Sequence, residues 1–332
     1  MTSFKAPTTS YLTQRILTHH GPHLDELTAY ADVLLHGLNY FPGANKAPWV
    51  FTNAGSDQYL KMDGRQALSA GYLPLGVLDN CPFNEHATIG GDRKPQECAA
   101  SLMAKYLGSW HNPCWRRLVN KVKADDLEGD KPALGFSAEL AIRFQLEPGN
   151  IGGIIKEFVE RLVNVYYAQE LLIKRDGDRA KPNFGWKKLP AACGKTINVL
   201  RVESDSRNLI RYTTTYLEPQ RRPDVTIQRN STGHVQIHTN YASQLNLDEL
   251  AEFVRRAEAE KRGIKLPENP ALLRIEGNGV PGVGMWGYLQ KMKKLFNGGI
   301  SALTAEPTKL TDGEITDLIF RHIQREVVEP VT

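Results

Sequence analysis

Short apolar runs alternate with helix-period stretches through the first half of the chain. Arg15-Ile16-Leu17-Thr18 reads as a brief buried strand. Leu27, Tyr30, Ala31 and Leu34 then recur at helical spacing and predict a helix from Asp25 to His36, stopped by Gly37. Pro48–Thr52 reads as a second strand, and Leu73–Leu78 is a further short apolar run. Gln96–Leu107 reads as a helix with Cys98, Leu102 and Tyr106 on one face, and Trp115–Asp126 as another helical segment. Ile154, Ile155, Phe158, Leu162, Val165 and Tyr166 predict a long helix over Ile151–Arg175, ended by Asp176-Gly177-Asp178. Strands alternating with helices argue for an α/β layered domain with a mainly parallel sheet, where ligands collect at the carboxyl ends of strands.

The texture changes after Arg179–Gly194, a stretch holding Pro182, Gly185, Pro190 and Gly194 that reads as a linker or hinge. Beyond it, Thr196–Val202, Arg211–Leu217, Val225–Arg229 and His234–His238 all look like strands. The last two are joined by Asn230-Ser231-Thr232-Gly233, a hairpin signal. Leu247–Arg262 is strongly helical, opened by Asp248-Glu249 and closed by Gly263. Gly277–Gly287 is rich in glycine but lacks the order of a nucleotide-binding loop. The expected organisation is therefore an N-terminal α/β lobe, residues 1–190 with its helical connection, and a smaller α+β C-terminal lobe, residues 191–332.

Composition narrows the class. The 332 residues are 41% hydrophobic and 23% charged, as in a globular protein. No apolar stretch approaches the length of a membrane span, and Met1–Pro7 lacks the apolar segment of a secretory signal. Cys81, Cys98, Cys114 and Cys193 form no C-x-x-C pair, which points to a reducing cytoplasm. A net charge of +4 is too weak and dispersed to argue for nucleic acid by itself.

Chemistry concentrates in Thr18-His19-His20-Gly21-Pro22-His23-Leu24-Asp25-Glu26, directly after the first strand. His19, His23 and Asp25 stand at i, i+4 and i+6. Imidazole nitrogen with carboxylate oxygen suits Mn²⁺, Fe²⁺ or Zn²⁺ better than Mg²⁺ or Ca²⁺. Asp25 and Glu26 also fit the first turn of a helix, whose positive end favours carboxylates, and for Glu26 that role weighs as much as ligation. Two further polar clusters, Asn84-Glu85-His86 behind Asp79 and the pair Asp125-Asp126, are of the kind a metal site assembled from several loops draws on. In the second half, Arg229 and His234 have the chemistry to pair with phosphate oxygens, with Ser231, Thr232 and the Gly233 backbone as donors; the same residues also make an ordinary polar hairpin turn.

These residues resemble the DHH phosphoesterase superfamily, which includes RecJ-type exonucleases, cyclic-dinucleotide phosphodiesterases and manganese-dependent pyrophosphatases. That superfamily opens with a His, an acid four residues on and another acid two further. Here His23 replaces the first acid. Thr18, His19, Gly21, His23, Asp25 and Glu26 are most similar to the Thr-His-x-Gly…His-x-Asp-Glu signature of the Myg-type (melanocyte-proliferating-gene) metal-dependent hydrolases, with one residue fewer in the loop. The Asp-His-His landmark reads Phe83-Asn84-Glu85-His86, with Asn84 in place of the acid. Asp79 and Asp63 are the nearby candidates for the second-motif acid, and Asp126 matches the late metal-binding acid.

The resemblance implies a two-lobed, metal-dependent phosphoesterase. His19, His23, Asp25, His86 and Asp126 would hold one or two divalent ions, Mn²⁺ or a similar metal, and His20 and His86 would act in catalysis. Arg229, Ser231, Thr232, Gly233 and His234 would bind the substrate phosphate. The expected partner is a phosphate-containing small molecule or a nucleic-acid end, not a membrane, and a homodimer is compatible with the pattern. The alternative is a nucleotide- or phosphate-binding protein that keeps the fold while Asn84 and the missing acid attenuate turnover.

Overall fold

A computed structural model describes residues 9–52, 61–85, 96–128, 135–192, 194–240, 245–278, 280, 282–298 and 305–325. The chain divides into two compact units, Met1–Leu171 and Leu172–Thr332. Each is mixed α/β, and no described helix is long and apolar enough to cross a membrane.

The first unit is built on three parallel strands in the order β2-β1-β3: β1 (Arg15–His19), β2 (Trp49–Thr52) and β3 (Tyr72–Pro74). β1 is central, and Ile16, Leu17 and Thr18 are completely buried, which is why its sequence is apolar without alternation. The chain leaves β1 for one neighbour and returns on the other side, so the crevice at its carboxyl end is a natural place for a ligand. That end carries His19.

Helix α1 (Leu24–Asp32) follows and is buried along its whole length, continuing into a π turn over Val33–Gly37. Helix α2 (Gly64–Ser69) precedes β3. Around α1 pack α3 (Ala99–Leu107), α4 (Pro113–Glu128), α5 (Phe136–Leu146) and α6 (Ile151–Arg161). A helix buried on all sides has to bury its polar residues too. Asp32 does so by accepting a 2.7 Å hydrogen bond from Ser109 and pairing at 2.8 Å with His36.

The stretch Ile151–Arg175, expected as one long helix, is helical throughout but interrupted by a π turn. α6 passes through a π turn at Leu162–Tyr167 into α7 (Ala168–Ala180). Asp176-Gly177-Asp178 does not end it. A methyl group on Gly177 would lie 1.9 Å from the Tyr212 ring, so this glycine serves a close approach rather than a stop.

The second unit holds a mixed six-stranded sheet in the order β4-β5-β6-β7-β9-β8. Its strands are β4 (Gly185–Pro190), β5 (Thr196–Glu203), β6 (Val225–Arg229), β7 (Val235–Thr239), β8 (Trp286–Leu289) and β9 (Lys294–Asn297). β5 and β6 pair in parallel, and the other neighbours are antiparallel. Two expectations are corrected here. The stretch read as a hinge contains strand β4. Arg211–Leu217, read as a strand, belongs to helix α8 (Leu209–Thr215): its threonine hydroxyls bond back to the Ile210 carbonyl, and Leu209 and Tyr212, three apart, are buried together on one face. Helices α9 (Asp248–Arg262) and α11 (Asp312–Ile323), with short α10 (Pro270–Leu273) between them, complete the unit, α9 ending at left-handed Gly263. Leu250, Val254, Ile315 and Ile319 close the core over Ile197, Val199, Ile227 and Ile237. Arg255 is buried within this unit and fastens the glycine-rich loop by donating to the carbonyls of Leu273, Ile275, Gly277 and Trp286.

Candidate metal centre

The site grows out of the turn between β1 and α1. Left-handed Gly21 (φ +65°) reverses the chain, and His23 becomes the N-cap of α1 in extended conformation. Glu26, at the third position of the helix, accepts a 2.7 Å hydrogen bond from the His23 backbone N–H through Oε2. Its other oxygen, Oε1, lies 2.9 Å from His19 Nε2. Glu26 thus plays both roles that its position allowed: it caps the helix and joins the histidines. The β3 loop makes room for it at Gly76 (φ +64°), where a Cβ would come within 2.4 Å of Oε1.

Among the described residues two groups of donor atoms result, His19 with His23 and Glu26, and His23 with Asp25 and Asp126. In each, the atoms lie within 4.8 Å of one another, and His23 belongs to both. That spacing is little more than twice a metal–nitrogen or metal–oxygen bond of about 2.0–2.2 Å. Asp126 arrives from the last turn of α4, while its neighbour Asp125 accepts a hydrogen bond from Ser137.

Asp25 is 2% exposed. Its Oδ2 accepts from the backbone N–H of Ala99 at the start of α3 (3.1 Å), whereas Oδ1 is buried with no hydrogen-bond partner among the described residues. Burial, then the charge of Glu26 and a hydrogen bond shared with its carboxylate, and after them the charges of Asp126 and Glu85, push the Asp25 carboxyl well above the usual carboxylate range. For Glu26, burial acts upward, but the hydrogen bond and charge of His19, with a hydrogen bond from Asp25 and the charge of His23, outweigh it and lower its pKa to about 2. Burial works against the His19 imidazolium; Glu26, the His20 carbonyl and the charge of Glu85 overcome it and raise that pKa. Glu85 is itself 3% exposed. Buried carboxylates in mutual repulsion need a positive charge among them or must take up protons. A divalent cation fits this donor set: the orphaned Asp25 oxygen supplies a ligand atom, and two imidazoles add nitrogen.

The remaining sequence candidates sort as follows. His20 belongs to neither donor group; it is exposed, with its ring stacked at 5.8 Å on Phe51. His86 lies outside the described residues. Asn84 turns its amide nitrogen to the Leu78 carbonyl (3.0 Å), and the acidic charge felt by His19 and Asp25 from this segment comes from Glu85. Asp63 caps α2 by accepting from Gln66 N–H and the Asn80 amide, and its side chain is exposed. Sequence reading placed Glu85 in a polar cluster but gave it no role, and its signal was an acid beside the expected motif position.

In the second unit the hairpin residues are occupied with one another. Arg229 donates to Asp312, to the Gly233 carbonyl and to the Leu310 carbonyl. Ser231 bonds Asp205, while His234, 5% exposed, lies between Thr232 Oγ1 and the Ala305 carbonyl at 2.7 Å each. Gly233 has φ +87°, as the turn requires.

Comparison with known protein-family models and with curated proteins finds no match. Among solved structures, the chain is similar to the crystal structure of an uncharacterized protein from Helicobacter pylori G27, at 10% identity over 93% of this chain and 98% of that one, with a TM-score of 0.23.

Proposed function

We propose that the first unit binds one or two divalent cations, Mn²⁺ or a similar ion, and hydrolyses a phosphate ester. The observation that carries this reading is the buried Asp25 carboxyl, one oxygen of which lacks a hydrogen-bond partner among the described residues, with a ligand atom within 4.8 Å of those of His23 and Asp126, in a cluster with more carboxylates than cations. His19, His23, Asp25, Glu26 and Asp126 would hold the ions. When bound, such ions supply Lewis acidity to phosphoryl oxygens and make hydroxide available near neutral pH.

The protein's own groups do the rest. The Ala99 N–H holds Asp25 in place through Oδ2. The His20 carbonyl, 3.1 Å from His19 Nδ1, orients that imidazole and leaves Nε2 for Glu26 or a cation. Glu85 adds negative charge that strengthens cation binding. His20, the exposed neighbour of His19 in sequence, would protonate a leaving alkoxide. The substrate class is a phosphodiester or phosphomonoester of a nucleotide or a short nucleic-acid end.

The test combines elemental analysis with hydrolysis of bis-p-nitrophenyl phosphate and short oligonucleotides in Mn²⁺. Bound metal at one or two equivalents, lost together with turnover in His23→Ala, supports the proposal. Metal binding without turnover under any divalent ion leaves the phosphate-binding alternative, which the amide at position 84 favours. Absence of bound metal refutes both.

A further inference from the structure

A second feature lies entirely within residues 172–332. β4 is the edge strand of the six-stranded sheet, and against it opens a cavity of about 680 Å³. That volume is in the range of about 300–1,000 Å³ typical of ligand sites. One wall is aromatic. Phe184 and Trp186 enter from β4 and the residue before it, Tyr212 and Tyr216 from α8 and its C-cap. Tyr212 and Tyr216 lie nearly parallel, 5.8 Å apart at 20°, and Tyr212 is fixed by a 2.8 Å hydrogen bond to Asp178. Trp186 is 47% exposed. The rim is basic, with Lys181, Lys187, Lys188 and Arg221 against a single carboxylate, Glu218. None of these four cations forms a salt bridge with a described residue.

Lysines on an edge strand also discourage pairing with other chains, and that role alone accounts for Lys187 and Lys188. It does not account for a half-exposed indole between them and Phe184. Nor does it account for Lys181 and Arg221, which reach the same cavity from a turn after α7 and from the turn after α8. An exposed indole beside the half-buried rings of Phe184 and Tyr216, interleaved with cations that form no salt bridge among the described residues, matches a ligand that alternates flat rings with negative charges. Single-stranded nucleic acid has that chemistry, whereas a duplex keeps its base faces stacked inside. An acidic peptide would satisfy the lysines and leave the rings unused.

We propose that the groove along β4 binds single-stranded nucleic acid, with a base stacked on Trp186, a second base against Tyr216, which Tyr212 backs, and phosphates on the four cations. The Asn198 side chain, on the cavity wall opposite Lys188 in the strand register, is placed to meet a base edge. This proposal stands on different residues from the metal centre and does not depend on it.

The experiment is fluorescence anisotropy of the full chain with a labelled twelve-residue oligothymidylate in EDTA, so that no divalent ion takes part. The expected results are saturable binding, a loss of about 5- to 150-fold in affinity in Trp186→Ala from the lost stacking, and recovery of most of it in Trp186→Phe. The slope of log affinity against log salt should be about −2.8 for four phosphate contacts, falling to about −1.4 in the Lys187→Glu/Lys188→Glu variant. Trp186 is exposed, so its truncation leaves the core intact. Equal affinity for an abasic oligomer, unchanged affinity in Trp186→Ala, or displacement by oligoglutamate more readily than by unlabelled oligothymidylate overturns the proposal. Failure of phosphate-ester hydrolysis together with Trp186-dependent binding would sink only the catalytic reading.

Discussion

Asp25→Asn isolates the electrostatics of the metal cluster. Asp25 and Asp126 place oxygens within 4.8 Å of each other, with Glu26 adjacent in sequence and Glu85 close enough to be felt. Two charged carboxylates 4.8 Å apart repel by about 3.5 kcal/mol at an effective dielectric of about 20, and by more when closer, and uptake of a proton relieves part of it. An amide at position 25 removes the charge, keeps an oxygen for the Ala99 N–H and offers a donor where a protonated carboxyl would. The metal-free variant should therefore be at least as stable as the metal-free wild type, by about 0–2 kcal/mol. Adding Mn²⁺ at 100 times its dissociation constant should stabilise the wild type by about 2.7 kcal/mol, and the variant by much less because the ligand is gone. For a unit of this size that corresponds to a rise of about 5–10 °C in Tm for the wild type alone. Urea and thermal unfolding followed by circular dichroism, with EDTA and with Mn²⁺, read both effects. Equal Mn²⁺ shifts in the two proteins, or a variant several kcal/mol less stable in EDTA, would refute the reasoning that the cluster is frustrated until a cation enters.

Other consequences are more local. Gly76→Ala puts a methyl group 2.4 Å from Glu26 Oε1 at φ +64°, so urea titration should show a loss of roughly 1–3 kcal/mol, accompanied by weaker metal binding. Gly177→Ala tests packing against propensity: helix propensity alone predicts a gain of about 1 kcal/mol, but the 1.9 Å approach to Tyr212 predicts a net loss of about 1–3 kcal/mol, read from the same titration. His238 concerns acid stability. Burial, and then the charge of Lys294, hold its imidazole down to about 3. The unfolded chain takes up that proton near pH 6.5 and the folded one does not. Stability is therefore full above about pH 6.5 and falls by at most about 1.4 kcal/mol per unit of acidification toward pH 3. His238→Gln should flatten that limb in unfolding curves measured from pH 7 to pH 4.

Much of the first unit was legible in the sequence because its signals are local. The adjacent apolar pair Ile16-Leu17 marked β1, helical spacing marked α1, and the His-rich turn between them has only one short path from strand to helix. His19, His23 and Asp25 therefore had to stay near one another, and Asp126 was legible as a late acid through the family resemblance. Glu26 was divided between capping and ligation because both roles demand the same residue at the same helical position, and here it caps α1 while lying in one donor group with His19 and His23. Asp63 and Asn84 show the converse, since an acid or amide in a suitable stretch can be consumed by a local cap or a loop carbonyl. The stretch over Arg211–Leu217 misled through its threonines, whose β preference gave way to the burial of Leu209 and Tyr212.

The chain by itself determined its α/β character, the strand–turn–helix at residues 15–32, the hairpin around Gly233 and the donor types gathered near the N-terminus, because each depends on neighbours within a turn or two. Tertiary structure alone decided that Asp126 from α4 meets His23, that Glu85 adds its charge, and that Arg229 is consumed by Asp312 and two carbonyls. It also decided that aromatic and basic residues from β4, α8 and the turns beside them line one groove. Which distant charges share a buried space depends on how helices pack on a sheet, and that packing is set by apolar surface, which carries no record of the polar groups it brings together.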